Sequence, residues 1–201
     1  MRWLALASVL WATAAPAAEV YRYWVQPCSE DVAARSACEP DDSELARWAL
    51  DAWQRAAGPG LQFVPADNQT DARIRFYWLD KRPQLYGETQ VVNRNGKRSW
   101  DIEVQPDLSQ LGPQIAAAGQ NDKLFRDAVV YLTCLHEAGH ALALPHTADF
   151  ADIMYSFQYG GDVLEYFSRY RRTLEARSGI RTHSGISEAE RKQVARLYAV
   201  R

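Results

Sequence analysis

Three histidines and one glutamate in a short run constrain this chain more than any other feature of its sequence. His136, Glu137 and His140 lie together, and His146 follows six residues later. On an α-helix, residues four positions apart lie one turn above each other on the same face. The rings of His136 and His140 can therefore reach one metal ion, and Glu137, rotated about 100° around the helix, can reach a water molecule on it. Two histidines and a carboxylate base on one helix are typical of zinc hydrolases.

His146 is predicted to supply a third metal ligand. Pro145 cannot lie within a continuing helix, so we expect the helix to end near Leu144 and the chain to turn back beneath the metal. Three neutral nitrogen ligands leave the fourth position of a tetrahedral zinc ion for water, as a catalytic zinc requires.

The run from His136 to His146, HEAGHALALPH, resembles the long zinc-binding motif of metzincin peptidases, H-E-x-x-H-x-x-G-x-x-H. Eight residues after His146, Met154 stands in a segment, DIMY, that resembles the family's Met-turn. This spacing is most similar to the matrixin branch, the matrix-metalloproteinase-like endopeptidases. Ala143 replaces the glycine of the motif. Because a non-glycine residue in a left-handed conformation costs roughly 1 kcal/mol, we expect a slightly adjusted turn and not a lost site.

The resemblance implies an α+β metzincin fold over about residues 21–198, with a twisted mixed sheet, a long active-site helix, the Met-turn and a C-terminal helix. It also implies the hydrolysis of peptide bonds by a zinc-bound water that Glu137 activates as the catalytic base. In this interpretation His136, His140 and His146 hold one catalytic Zn²⁺, which polarises the scissile carbonyl and stabilises the oxyanion.

Two other functions stay open. One is a non-catalytic secreted binding module that keeps the fold and the zinc, and the other is a zinc hydrolase that acts on cell-wall peptides. Glu137 argues against the first, because a scaffold has no need of that carboxylate. Of the four histidines only His183 lies outside the motif, so no second, structural zinc is expected. The scattered acidic residues form no compact ligand pattern, which leaves Ca²⁺ undecided.

The partner implied by the resemblance is a protein or peptide substrate, bound antiparallel to an edge strand above the zinc helix. The stretch from Trp100 to Val104 alternates between apolar and acidic side chains and is the candidate for that strand. The alternative, an inner strand without substrate contact, stays open. The formal net charge of −2 argues against nucleic acid as the main partner.

The N-terminus has the pattern of a signal peptide over residues 1–17. Arg2 precedes an apolar run to Ala15, and Ala15-Pro16-Ala17 has the small-x-small form of a cleavage site. The run is short for a membrane anchor, which is the alternative. We therefore expect a catalytic domain over residues 18–201, secreted or periplasmic, with no membrane anchor after cleavage.

The three cysteines agree with export. Cys28 and Cys38 bracket a short polar stretch, and in an oxidising compartment we expect them to pair. Cys134 points about 200° around the helix from His136 and is expected to be a buried free thiol. The alternative pairs Cys134 with Cys28 or Cys38.

Periodicity predicts the other elements. Strands are expected at 21–26, 61–64, 72–79 and 99–105, and helices at 41–57, 122–144 and 188–198. Asp42 or Ser43 is expected to cap the first helix, Asn95-Gly96 to form a tight turn, and Ser187 with Glu190 to form a capping box on the last helix.

An insertion relative to a minimal matrixin is expected at about 160–185. Apolar residues at helical spacing predict a helix over 162–177, with Asp162 as its cap and Gly179 beyond its end. This segment contains arginines at positions 169, 171, 172, 177 and 181. Either the helix packs on the domain and leaves its basic face in solvent, or it lines the part of the cleft beyond the scissile bond and selects substrates. The second reading places aromatic residues between Tyr155 and Tyr170 in that wall.

Overall fold

One mixed β-sheet forms the framework of this protein. The structure is a computed structural model that describes residues 18–199, so the predicted signal peptide lies outside the described residues. The strands are β1 (Glu19–Val25), β2 (Leu61–Pro65), β3 (Ile74–Trp78), β4 (Gly87–Arg94) and β5 (Lys97–Val104). Their order is β2-β1-β3-β5-β4, with β4 antiparallel to β5 and the other neighbours parallel.

Six α-helices accompany the sheet within residues 18–199, which confirms the α+β class. They are α1 (Glu30–Ser36), α2 (Asp42–Ala57), α3 (Pro113–Asn121), α4 (Lys123–Ala141), α5 (Val163–Arg171) and α6 (Glu188–Leu197). Helices α2 and α4 contact each other and the sheet, and the core lies between them. Trp53 of α2 is fully buried there and donates its indole N–H to the carbonyl of Leu135 in α4 at 2.8 Å. None of the described helices has the length and apolar character needed to cross a membrane.

The predicted strands are all present, and their alternation is the physical reason. Ile74 and Phe76 of β3 and Ile102 of β5 are fully buried on the same face. The predicted tight turn is also confirmed, because Asn95 and Gly96 have φ angles of 54° and 74° and join β4 to β5. Two consecutive left-handed residues are what a two-residue hairpin turn requires.

The stretch from Trp100 to Val104, the candidate for the edge strand, is an inner strand, which was the alternative. These residues belong to β5, which pairs with β3 on one side and β4 on the other. Strand β4 was not predicted, because its residues are exposed or half-buried and lack an apolar alternation. The edge next to the long helix α4 is therefore β4.

The cysteines pair as expected. Cys28 and Cys38 form a disulfide with a Cα–Cα distance of 6.0 Å, and Cys134 is a buried free thiol. The bridge closes a segment that contains α1, where no helix was predicted. Ser29 caps this helix, since its hydroxyl accepts the N–H of Val32.

The end of one helix and the cap of another differ from the predictions. The helix expected over 162–177 ends at Arg171, because Thr173 bonds its hydroxyl back to the carbonyl of Tyr170 and the chain turns there. Residues Arg177–Arg181, including Gly179, form a 3-10 helix instead. Helix α2 has Asp41 at its N-cap, because the Asp42 carboxylate is occupied by the N–H of Glu39 and by Arg126. The capping box of Ser187 and Glu190 on α6 is confirmed.

Candidate metal centre

Three histidine rings converge at one point beside α4. The Nε2 atom of His146 lies 3.2 Å from Nε2 of His136 and 3.0 Å from Nε2 of His140. His136 and His140 are half-buried on α4, whereas His146 is exposed. Among the described residues, this is the single group of three or more histidine, cysteine or acidic side chains that could hold a metal ion.

Backbone carbonyls fix the orientation of two of the rings. The Nδ1–H of His136 donates to the carbonyl of Ile153 at 2.7 Å, and that of His140 donates to the carbonyl of Leu144 at 3.1 Å. Because a carbonyl only accepts hydrogen bonds, each ring carries its proton on Nδ1 and turns the lone pair of Nε2 toward the centre. This is the arrangement in which imidazoles bind metals.

The spacing of the nitrogen atoms fits a tetrahedral zinc ion. With Zn–N bonds of 2.0–2.1 Å, two ligand atoms of a tetrahedron lie about 3.3–3.4 Å apart. The contacts of 3.2 and 3.0 Å to His146 are close to that value. A proton on His146 Nε2 could bond to the Nε2 lone pair of His136 or of His140 but not to both. A cation between the rings can accept the Nε2 lone pairs of all three histidines. The donor set therefore fits zinc.

Burial favours the neutral form of the two helical histidines. Burial lowers the pKa of His136 to about 4, against the opposing hydrogen bond to Ile153. Burial also lowers the pKa of His140. Metal ligands must be deprotonated at the binding nitrogen, so these shifts remove the competition with protons.

A left-handed residue returns the chain to the metal centre. Helix α4 ends at Ala141, three residues before the predicted end, because Ala143 has a φ angle of 64°. The N–H of Leu144 then bonds back to the carbonyl of Gly139 at 3.0 Å. The conformation expected at Ala143 is therefore present in a residue with a side chain, and the turn brings His146 toward His136 and His140.

Glu137 lies on α4 between the metal centre and β4. Its side chain is 6% exposed, and the Thr89 hydroxyl lies 2.8 Å from carboxylate oxygen Oε2. Burial raises the pKa of Glu137 to about 7, the Thr89 hydrogen bond opposes the rise, and nearby Glu88 adds to it. A cation at the histidines would favour the ionised carboxylate and lower this pKa again. Gly87 leaves the necessary room, because a Cβ there would lie 2.8 Å from Cγ of Glu137.

Met154 packs directly against Gly139 of α4. A Cβ on Gly139 would overlap the Met154 sulfur, so only glycine permits this contact. The Met154 carbonyl accepts the N–H of Thr147 at 2.8 Å, and its own N–H donates to Glu190 at 2.7 Å. Glu190 was predicted only as a capping residue. Its second contact ties α6 to the backbone that orients His136, and no local signal in the sequence could have shown it.

A cleft of about 450 Å³ opens beside the histidines and Glu137. Its walls are the start of β4, helix α4, the segment after Met154, and α5. Among the aromatic residues predicted for this wall, those present are Tyr155, Phe157, Tyr166 and Phe167. Tyr170 does not line the cleft but stacks on Tyr131 at 5.7 Å. Tyr86 was missed, although it also lines the cleft and stacks on Phe167 at 5.6 Å.

The arginines of α5 are engaged with the protein itself. The Arg169 guanidinium lies over the rings of Phe150 and Tyr166, at 5.0 and 4.5 Å from their centroids. Arg171 pairs with Asp122, and Arg172 with Glu165. None of the three lines the described cleft. These contacts favour packing over substrate selection as the role of the arginines.

Strand β4 turns its free edge outward beside the cleft. Arg94 pairs with Lys97 across the two-residue turn, so hydrogen-bonded pairs recur at every second residue along the hairpin. The carbonyl of Tyr86 accepts the N–H of Gln105 at 2.8 Å, in keeping with this alternation. The intervening residues therefore point their N–H and C=O groups away from the sheet. They are Gly87, Thr89, Val91 and Asn93.

No model of a known protein family matches this chain, and a search of curated proteins finds no significant similarity.

Proposed function

We propose that this protein is a zinc-dependent endopeptidase of the metzincin class, of the matrixin branch. The observation that carries the proposal is the convergence of three histidine Nε2 atoms beside a buried glutamate, in a cleft bordered by a free strand edge. His136, His140 and His146 would hold one zinc ion. When bound, zinc supplies a Lewis acid that polarises a carbonyl oxygen and lowers the pKa of water to about 7.

Glu137 is the general base in this proposal. The Thr89 hydroxyl holds carboxylate oxygen Oε2, and no described residue donates a hydrogen bond to Oε1. Oε1 can therefore take a proton from the attacking water and return it to the departing amine. The low exposure of Glu137 keeps bulk water from competing for that proton.

Strand β4 binds the substrate in this proposal. Its outward N–H and C=O groups at alternate residues can pair with an extended peptide, and an exposed edge is a ready template for another strand. An antiparallel peptide would place its C-terminal part beside Gly87 and its N-terminal part beside Asn93. The aromatic wall of the cleft, from Tyr86 to Phe167, would receive an apolar side chain of the substrate.

The disulfide and the predicted signal peptide support an extracytoplasmic location. Disulfides such as Cys28–Cys38 form and persist mainly in oxidising compartments. The pattern of residues 1–17 is consistent with export.

Cleavage of a peptide library by the purified protein, with and without a chelator, tests the proposal. We expect internal peptide bonds to be cut, with an apolar residue at one fixed position beside the cut, and we expect the chelator to abolish cleavage. Cleavage that persists without metal contradicts the proposal. A protein that holds zinc but cuts no peptide would instead support the non-catalytic binding module.

A further inference from the structure

A second groove lies at the far end of β4, away from the metal centre. It has a volume of about 720 Å³ and is bordered by the β4–β5 turn, the start of β1 and the loop before β3. Its lining contains four cationic side chains and one carboxylate, that of Asp71. The cations are Arg22, Arg73, Arg94 and Lys97.

The cations of this groove are only partly neutralised by the protein. Arg94 is paired with Asp101 at 2.7 Å. Within residues 18–199, neither Lys97 nor Arg73 has a carboxylate within 4.0 Å. Arg73 donates to the carbonyl of Arg98 at 3.1 Å, and its guanidinium lies 4.9 Å from the ring centroid of Tyr21. The partner of Arg22, Asp67, is 3.8 Å away and 97% exposed, so solvent screens this pair strongly. The groove therefore carries a fixed positive potential.

Arg94 is the last residue of β4 and also lines the groove, so the free edge of β4 leads to the groove. The N-terminal part of an antiparallel peptide would run from Thr89, beside Glu137, toward Asn93 and the hairpin turn. The five residue-to-residue steps of strand from Thr89 to Arg94 span about 17 Å. A peptide bound along β4 therefore reaches the groove roughly five residues upstream of the bond being cut.

The charge of the side chains on the sheet face that carries this groove changes from negative to positive along β4. Arg94 and Lys97 are directly paired at the turn, and Glu88 and Glu103 are directly paired near the metal centre. Cross-strand partners project to the same face, and residues at even spacing share it. Glu103 is paired with Arg82 at 3.6 Å, and Arg94 with Asp101. Glu88 therefore repels an acidic substrate residue near the cut, and Lys97 attracts one near the turn.

We propose that the groove of Arg22, Arg73, Arg94 and Lys97 binds acidic side chains of the polypeptide substrate, about five to seven residues N-terminal to the scissile bond. The proposal rests on the proposed function, since it uses the same substrate direction along β4. It gives the protein a preference for substrates with an acidic segment upstream of an apolar cleavage site.

Matched peptides test the inference. One carries three glutamates at the fifth to seventh positions upstream of the cut, and its control carries three glutamines there. We expect kcat/KM at low salt to be at least about threefold higher for the glutamate peptide, because several exposed charge pairs of modest strength act together. The ratio should fall toward one in the double variant Arg22→Ser, Lys97→Ser and at high salt. It should persist in Arg47→Ser, which removes an exposed arginine of α2.

A ratio near one in the parent protein overturns the inference, as does a ratio that the double variant leaves unchanged. A binding measurement separates this failure from failure of the proposed function. The fluorescence anisotropy of a labelled hexaglutamate peptide should report binding that the double variant weakens and Arg47→Ser does not. If the peptides are not cut at all, the proposed function fails, and absence of groove-dependent hexaglutamate binding overturns the inference by itself.

Discussion

A single alanine sets the direction in which the chain leaves helix α4. Ala143 has a φ angle of 64°, a region in which a Cβ is crowded and glycine is favoured. The sequence predicted this conformation, because a motif that ordinarily uses glycine must reverse the chain between His140 and His146. The strain is local, since the side chain of Ala143 is exposed and no packing contact depends on it.

Replacing Ala143 with glycine should leave the free energy of unfolding unchanged or raise it. The substitution removes a left-handed penalty of roughly 1–2 kcal/mol, and the greater freedom of glycine in the unfolded chain offsets about 0.4–1 kcal/mol of this gain. Denaturant unfolding measures the result. The matched control, Ala117→Gly at an exposed position inside α3, should lose about 1 kcal/mol. Equal losses in the two variants would contradict the left-handed assignment at Ala143.

Elements with a clear period could be predicted from the sequence, and elements without one could not. Strand β5 shows apolar alternation and α6 shows a capping box, so both were located. Strand β4 lies at an edge with exposed side chains, and its pairing is decided by the Asn95-Gly96 turn and by α4 beneath it. Tertiary contacts therefore decide which strand lies at the edge, although the local pattern of β5 was interpreted correctly.

Two proline substitutions on β4 separate substrate binding from folding. The N–H of Val91 points outward and that of Gln90 points toward β5, as the hairpin register requires. Val91→Pro should therefore keep the fold and the zinc but raise KM several-fold, since it removes one outward donor. Gln90→Pro should break the β4–β5 ladder and lower the melting temperature. Steady-state kinetics and thermal unfolding distinguish these effects. An unchanged KM in the stable Val91→Pro variant argues against substrate binding along this edge.

At the scale of the whole molecule, distant segments hold the candidate metal centre in place. Glu190 of α6 bonds the backbone of Met154, and the neighbouring carbonyl of Ile153 orients His136. Thr89 of β4 reaches Glu137 from the other side. The histidines and Glu137 could be predicted because their spacing along one helix encodes their geometry. Glu190, Thr89 and Tyr86 could not, because their roles arise from contacts between segments far apart in the sequence.

A zinc titration of the metal-free protein, followed by peptide turnover, tests the central claim most directly. Three converging histidines predict that activity rises in proportion to added zinc and reaches its maximum at one equivalent per chain. Glu137→Gln keeps the shape of the side chain and removes the base, so it should bind the same single equivalent while turnover falls by at least about 10²-fold. Binding of two equivalents, absence of turnover in the zinc-loaded parent, or full activity in Glu137→Gln would contradict the account.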